Sequence, residues 1–140
     1  MPTFHLDIVS PNREFFSGDV EEIILPVSNG YVSDGYMGVL AGHEPLVTPI
    51  GIGVLRIKQN GEWRDAAISG GFAEILPNSV TILSDSVEWP EEIDARRAEE
   101  ALRRAQERLR QRMSREEYLR SQAALARALT RLRVSNRKVQ

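Results

Sequence analysis

The sequence has no cysteine. That excludes disulfides, thiol catalysis and cysteine-ligated metals, and it fits a reducing compartment. Histidine is almost as scarce. His5 lies on the polar side of a strand pattern and reads as a surface or hydrogen-bonded histidine. His43, in "VLAGHEPLV", has no histidine or carboxylate at ligand spacing. No run approaches the roughly 20 apolar residues that span a bilayer, so direct membrane insertion is not expected and any link to a membrane runs through another protein. The N-terminus "MPTFHLDIV" lacks a basic region followed by an apolar stretch, so a cleaved signal peptide is not expected. Ser69 in "ISGGF" lacks the glycine two residues ahead that a nucleophile elbow needs, and "SGG" reads as a tight turn. Phosphate-loop and dinucleotide fingerprints are also missing. Neither a catalytic residue nor a metal site is expected.

Lysine is nearly absent too, with only Lys58 and Lys138, yet the chain is far from uncharged. Its net charge of -2 conceals a division. Residues 1–90 hold 4 basic and 12 acidic side chains, whereas residues 91–140 hold 14 basic and 8 acidic ones. A change from -8 to +6 indicates two parts with different partners.

Periodicity divides the chain at the same place. Up to about Val87, short β-branched runs such as "TFHLDIVS", "VEEIILPV" and "SVTILSDS" alternate or nearly so. Asn60-Gly61 stands between two alternating runs and predicts a type I′ hairpin. Glycine or proline recurs every 8–12 residues or so, as an antiparallel sandwich or barrel requires. After Trp89-Pro90 the period becomes helical. Asp94 predicts an N-cap, and Ala98, Leu102, Ala105 and Leu109 form one apolar stripe. Glu99–Arg103 and Glu100–Arg104 have the spacing of helical ion pairs. This helix is expected to end near Met113. After a break of about two residues, Ser114 and Glu117 predict a second start by their capping-box spacing. Its stripe is Tyr118, Leu125, Leu129 and Leu132, with Ala124 and Ala128 beside it. The short break makes the helices fold back antiparallel. Stripes that are half alanine bury little surface, so the hairpin is expected to be marginal alone and able to detach.

The arginines pose the chemical question. Arg97 and Arg104 share a face of the first helix, and Arg120, Arg127 and Arg131 share a face of the second. Folded together, the two rows would repel each other unless an anion lay between them. Guanidinium forks suit phosphate oxygens. Spacing alone leaves three readings open: a phosphate ligand, nucleic acid, or a solvated or protein-facing surface.

Longer stretches narrow the choice. "FHLDIVSPNREFFSGDVEEIILP", "GYMGVLAGHEPLVTPIGIGVLRI" and "ISGGFAEILPNSVTILSDSVE" resemble, in order, the epsilon-subunit family of rotary F-type ATP synthases. The G-x-M-G-V-L-x-G-H-x-P-L loop and the S-G-G-F strand are the most specific pieces. "IDARRA" resembles the family's I/L-D-x-x-R-A motif. The resemblance implies an α+β chain: a ten-stranded β-sandwich over residues 1–88, then a helical hairpin over residues 89–140. It implies a non-catalytic rotor subunit whose sandwich binds the gamma subunit and the c-ring, with Met37, Gly38 and His43 in the partner interface. An extended hairpin would reach the alpha and beta subunits and inhibit ATP hydrolysis. A folded hairpin would bind ATP as a regulatory ligand, with no other cofactor required. The family's ATP-contacting positions fall at Glu88, Ile93, Asp94, Arg97, Ala98, Arg104, Arg120, Arg127 and Arg131. Arg104, Arg120, Arg127 and Arg131 would hold phosphates, Glu88 would accept from the adenine amino group, and Ile93 would pack on the base. Asp94 would cap the helix and orient Arg97. The implied location is the cytoplasmic face of a bacterial cell membrane, as part of the complex.

Two departures stand out. The loop in "PVSNGYVSDGYMG" is longer than usual, and Ala41 in "LAGH" replaces a proline. The alternative from another class is a nucleic-acid adaptor with a basic hairpin. The scarcity of lysine and aromatic residues argues against it.

Overall fold

The computed structural model describes residues 1–136; the expected hairpin region also includes residues 137–140, which lie outside the described residues. Ten strands come first: β1 (Phe4–Ser10), β2 (Arg13–Val20), β3 (Glu22–Val27), β4 (Gly35–Leu40), β5 (Leu46–Pro49), β6 (Ile52–Gln59), β7 (Glu62–Ser69), β8 (Phe72–Ile75), β9 (Ser79–Leu83) and β10 (Ser86–Glu88). A 3-10 turn (Pro90–Glu92) leads to helices α1 (Ala95–Leu109) and α2 (Arg115–Ser135). The strands form two five-stranded sheets, ordered β2-β1-β9-β8-β5 and β10-β7-β6-β3-β4. The sandwich is therefore the expected one. One pair departs from an all-antiparallel pattern, because β1 runs parallel to β9.

Alternation drives the two sheets together. Phe4, Leu6 and Ile8 of β1 face inward and meet Leu55, Ile57, Ala66, Ile68, Val80 and Ile82 in one core. The predicted hairpin turn is present, with φ of 53° at Asn60 and 78° at Gly61. Gly51 and Gly53 have a different purpose. A Cβ on Gly51 would come within 2.8 Å of Ser28 and Ser33, and one on Gly53 within 2.8 Å of Pro26. The bare backbone of Gly51 lets the 28–34 segment cross close to the start of β6, and that of Gly53 admits Pro26 of β3 and Tyr36 of β4.

Residues 52–55 and 66–68 are buried without alternation. Such runs occur where a sheet is covered on both faces. Here Leu55, Ala66 and Ile68 face the main core, while Val54 and Ala67, paired across β6 and β7, meet Ile93 and Val134 on the other side. The hairpin supplies that cover: α2 lies on β6 and β7, and α1 packs chiefly on α2.

The caps are as predicted. Asp94 accepts from the Arg97 N–H at 3.2 Å, and Ser114 from the Glu117 N–H at 3.2 Å. Three expectations need correction. Helix α1 ends at Leu109, not near Met113, so residues 110–114 form a longer break. Glu100 turns back to Arg96, 4.0 Å away, instead of forward to Arg104, and Glu99–Arg103 does not close among the described residues. The buried face of α2 is Ser121, Ala123, Ala128, Thr130, Val134 and Ser135. Tyr118 and Leu129 are exposed, because close approach to both α1 and the sheet selects small side chains.

Candidate functional site

The site builds up at the joint between sandwich and hairpin. Antiparallel folding places the first turns of α1 beside the last turns of α2, next to β10 and the linker. A cavity of about 250 Å³ opens there, lined by Glu88, Glu92, Asp94, Arg97, Ala98, Ala101, Arg104 and Arg131. Arg97 and Arg104 face it from α1, Arg131 from α2, and Glu88 from the sandwich.

The carboxylates are already engaged. Arg131 Nε donates to Glu88 at 2.7 Å. Asp94 caps α1 through the Arg97 N–H. Glu92 accepts from Arg13 at 2.5 and 2.7 Å and from the Trp89 N–H at 2.8 Å. The Arg13 guanidinium, chiefly by these hydrogen bonds, holds the Glu92 carboxyl below its ordinary pKa against the opposing effect of burial. Among the described residues, Arg97 and Arg104 have no carboxylate within 4.0 Å. Their charge is thus uncompensated by direct pairing. The absence of the expected Glu100–Arg104 pair leaves Arg104 directed at the cavity. The lining thus sets three guanidiniums, Arg97, Arg104 and Arg131, against three carboxylates, Glu88, Glu92 and Asp94, the carboxylates all engaged by partners of their own.

The expected residues do not all converge. Glu88, Asp94, Arg97, Ala98, Arg104 and Arg131 line the cavity. Arg127 lines a small adjoining cavity, which shares Glu88 and Arg131. Arg120 lies apart, in a cleft at the hairpin turn with Arg108, Arg112 and Glu117. The Ile93 side chain is 4 % exposed and packed among Val54, Ala67 and Val134. Ile93 is not in the cavity lining, and in this conformation its side chain is not placed to pack against a base as expected. Glu92 and Ala101 line the cavity without having been singled out in the sequence. No sequence signal marked Glu92: it accepts from the Trp89 N–H three residues back, but an indole cannot serve as the accepting cap that makes a capping box recognisable.

Elsewhere, Met37 packs partly buried against the main core, Gly38 is exposed on the edge strand β4, and His43 Nδ1–H donates to the Glu44 carbonyl at 2.7 Å. His5 bridges Asp7 and Asp19, each at 3.2 Å, on an exposed sheet face. The Asp19 hydrogen bond, first among several effects, raises its pKa above the ordinary value. Among the described residues there is no metal-binding cluster, and no helix is long and apolar enough to cross a membrane.

Residues 3–90 match the family model described as ATP synthase, Delta/Epsilon chain, beta-sandwich domain, and residues 91–136 match the corresponding long alpha-helix domain. The ATP synthase epsilon chain of Caldicellulosiruptor saccharolyticus is 52% identical over 134 residues, covering 96% of this chain and 94% of the relative. That of Caldanaerobacter subterraneus is 50% identical over 136 residues, covering 96% and 95%. Among solved structures, a chain of the Euglena gracilis mitochondrial ATP synthase (OSCP/F1/c-ring) superposes with a TM-score of 0.73 at 27% identity, covering 90% of this chain and 78% of that one.

Proposed function

The chain belongs to the ATP synthase delta/epsilon chain family, and on that premise we propose that it is a non-catalytic subunit of the rotor, joining gamma and the c-ring through its sandwich and regulating ATP hydrolysis through its hairpin. In the folded state the hairpin binds ATP. In the extended state it reaches alpha and beta and inhibits hydrolysis. The subunit would sit peripherally on the cytoplasmic face of a bacterial cell membrane, with ion transport a property of the whole complex.

The observation that carries the ligand reading is the one cavity that Arg97, Arg104, Arg131 and Glu88 line together. Arg97 and Arg104, without an ion-pair partner among the described residues, supply guanidiniums for a triphosphate. Arg131 holds Glu88 at 2.7 Å and would share its charge with the ligand, freeing a Glu88 oxygen for the base. A ligand that binds only the docked hairpin stabilises that state by RT ln(1 + [L]/Kd), about 2.7 kcal/mol at a hundred times Kd. Falling ATP would release the hairpin. Arg120 sits outside the cavity, so its contribution would require a longer-range effect or a rearranged turn.

Calorimetric titration of the whole chain with ATP, ADP and GTP tests the ligand. Saturable ATP binding, lost in Arg104→Ala and weakened in Arg127→Ala, is expected. No binding up to millimolar ATP would falsify the sensor and leave the rotor reading intact. Co-expression with gamma tests the rotor reading, which fails if the two do not co-purify.

A further inference from the structure

The linker is held to the sandwich more elaborately than the hairpin it carries. Trp89 stacks on Phe15, with ring centroids 4.3 Å apart and planes 27° from parallel. The Arg64 guanidinium lies 3.8 Å from the Trp89 ring centre, and Phe16 meets its edge at 6.4 Å. Three residues on, Glu92 closes the 3-10 turn by accepting from the Trp89 N–H and ties it to β2 by two hydrogen bonds from Arg13. Arg13 also donates to the Val87 carbonyl at 3.4 Å, and its guanidinium stands 5.0 Å from the Phe15 ring. Pro90 is buried within this group. Every outside partner here, Arg13, Phe15, Phe16 and Arg64, belongs to the sandwich.

Past Glu92 the attachment changes. Ile93 and Asp94 are both extended, with φ, ψ of -83°, 125° and -84°, 98°. The Ile93 N–H still closes the turn onto the Pro90 carbonyl and Asp94 already caps α1, so the free rotations are those between the two, from the Ile93 Cα to the Asp94 Cα. Rotation about those bonds keeps the Trp89–Glu92 cap and the helical ladder of α1 whole. The hairpin beyond them is held by the small cluster of Ile93 and Val134 on Val54 and Ala67, and by the partly exposed Arg131–Glu88 pair.

We infer that the hairpin, on leaving the sandwich, turns about Ile93–Asp94 while Trp89–Glu92 stays fixed, with Arg13, Phe15 and Arg64 as the anchor. The candidate cavity then divides along that line. Glu88 and Glu92 remain with the sandwich, and the arginines of α1 and α2 leave together. The two acidic groups are thereby kept in place for the arginines to return to. Arg13 and Arg64 become positioning residues for the site although neither touches a ligand.

The inference presupposes, from the proposed function, that the hairpin can leave; the test forces that departure, so the two can fail separately. In the full chain, Val134→Asp puts a carboxylate into the fully buried landing of α2, with Thr130→Asp added if one charge does not release it. Spin labels at Glu62→Cys and Gln111→Cys, in a chain free of native cysteine, report the separation. Trp63→Phe leaves Trp89 as the sole tryptophan, and acrylamide quenching reports its exposure. The expected result is a longer, broader label distance with Trp89 quenching within about 1.5-fold of the parent. Adding Arg13→Ala and Arg64→Ala to the released variant should then raise quenching by roughly threefold or more. A threefold rise on release alone, with the anchor intact, would overturn the inference and place the pivot before Trp89.

Discussion

Val134 offers the sharpest probe of how the hairpin is held. It is fully buried, and its partners are Val54, Ala67 and Ile93. Val134→Ala removes two methyl groups, worth about 0.8 kcal/mol each, or about 1.6 kcal/mol before any cavity cost. Since about 1.4 kcal/mol is tenfold, the undocked population should rise roughly fifteenfold. Trypsin reads this directly. Cleavage after Arg127 or Arg131, inside α2, needs the helix to leave the sheet and unwind. When reclosing outpaces cleavage, the rate follows the open population. Val80→Ala, in the main core, is the control. It should lower the sandwich's denaturation midpoint while leaving α2 cleavage under native conditions near the parent rate. The reasoning is refuted if Val134→Ala lowers the sandwich midpoint as much as Val80→Ala without selectively accelerating cleavage of α2. The two parts would then unfold as one unit.

The other expectations concern single contacts. Glu88→Gln removes a pair whose side chains are 27% and 38% exposed, so the ligand-free hairpin should loosen by less than about 1 kcal/mol, visible as under fivefold faster α2 cleavage. Glu92 has a depressed folded pKa, so its stabilising effect is present above the ordinary 4.5 and is lost as pH falls through the depressed value. The difference in thermal midpoint between the parent and Arg13→Ala should therefore be steady near neutrality and shrink in acid. His5 has the opposite sign. Its raised pKa stabilises the fold below 6.5, and the effect fades as pH rises through the raised value, so His5→Gln should lower the midpoint at acidic pH more than at alkaline pH. Gly53→Ala would place a Cβ 2.8 Å from Pro26 and 3.0 Å from the Tyr36 hydroxyl, and should cost about 1–3 kcal/mol in urea denaturation.

Local chemistry was the legible part of this chain. The Asn60-Gly61 turn, the Asp94 and Ser114 caps and the change of period after Pro90 each depend on residues within four positions of one another. Contacts between distant segments were not legible. Nothing in "NREFF" indicates that Arg13 and Phe15 meet Glu92 and Trp89, because that meeting depends on where β2 lies relative to the end of β10. The α2 face was misread for a related reason. Leucines mark the buried side of a helix with one neighbour, whereas a helix pressed between a sheet and another helix favours Ala123, Ala128, Thr130 and Ser121. At the site, arginine spacing correctly placed Arg97 and Arg104 on one face and Arg131 opposite them. It did not reveal that a five-residue break would leave Arg120 at the turn, or that Ile93 would be needed beneath the hairpin.

The parallel pairing of β1 with β9 bears on how the chain acquires its shape during synthesis. His5 must wait for Ser79, and Val9 for Leu83, before the first sheet has its centre. Most of the sandwich must therefore have emerged from the ribosome before β1 and β2 gain their inner neighbour. Pairing across so long a stretch of chain makes folding slow relative to a helical protein of this size. Until then the β1–β2 hairpin offers an unpaired strand edge carrying Leu6 and Ile8, open to association with other chains. The helices, emerging after the sandwich, gain a landing surface only when β6 and β7 are in place.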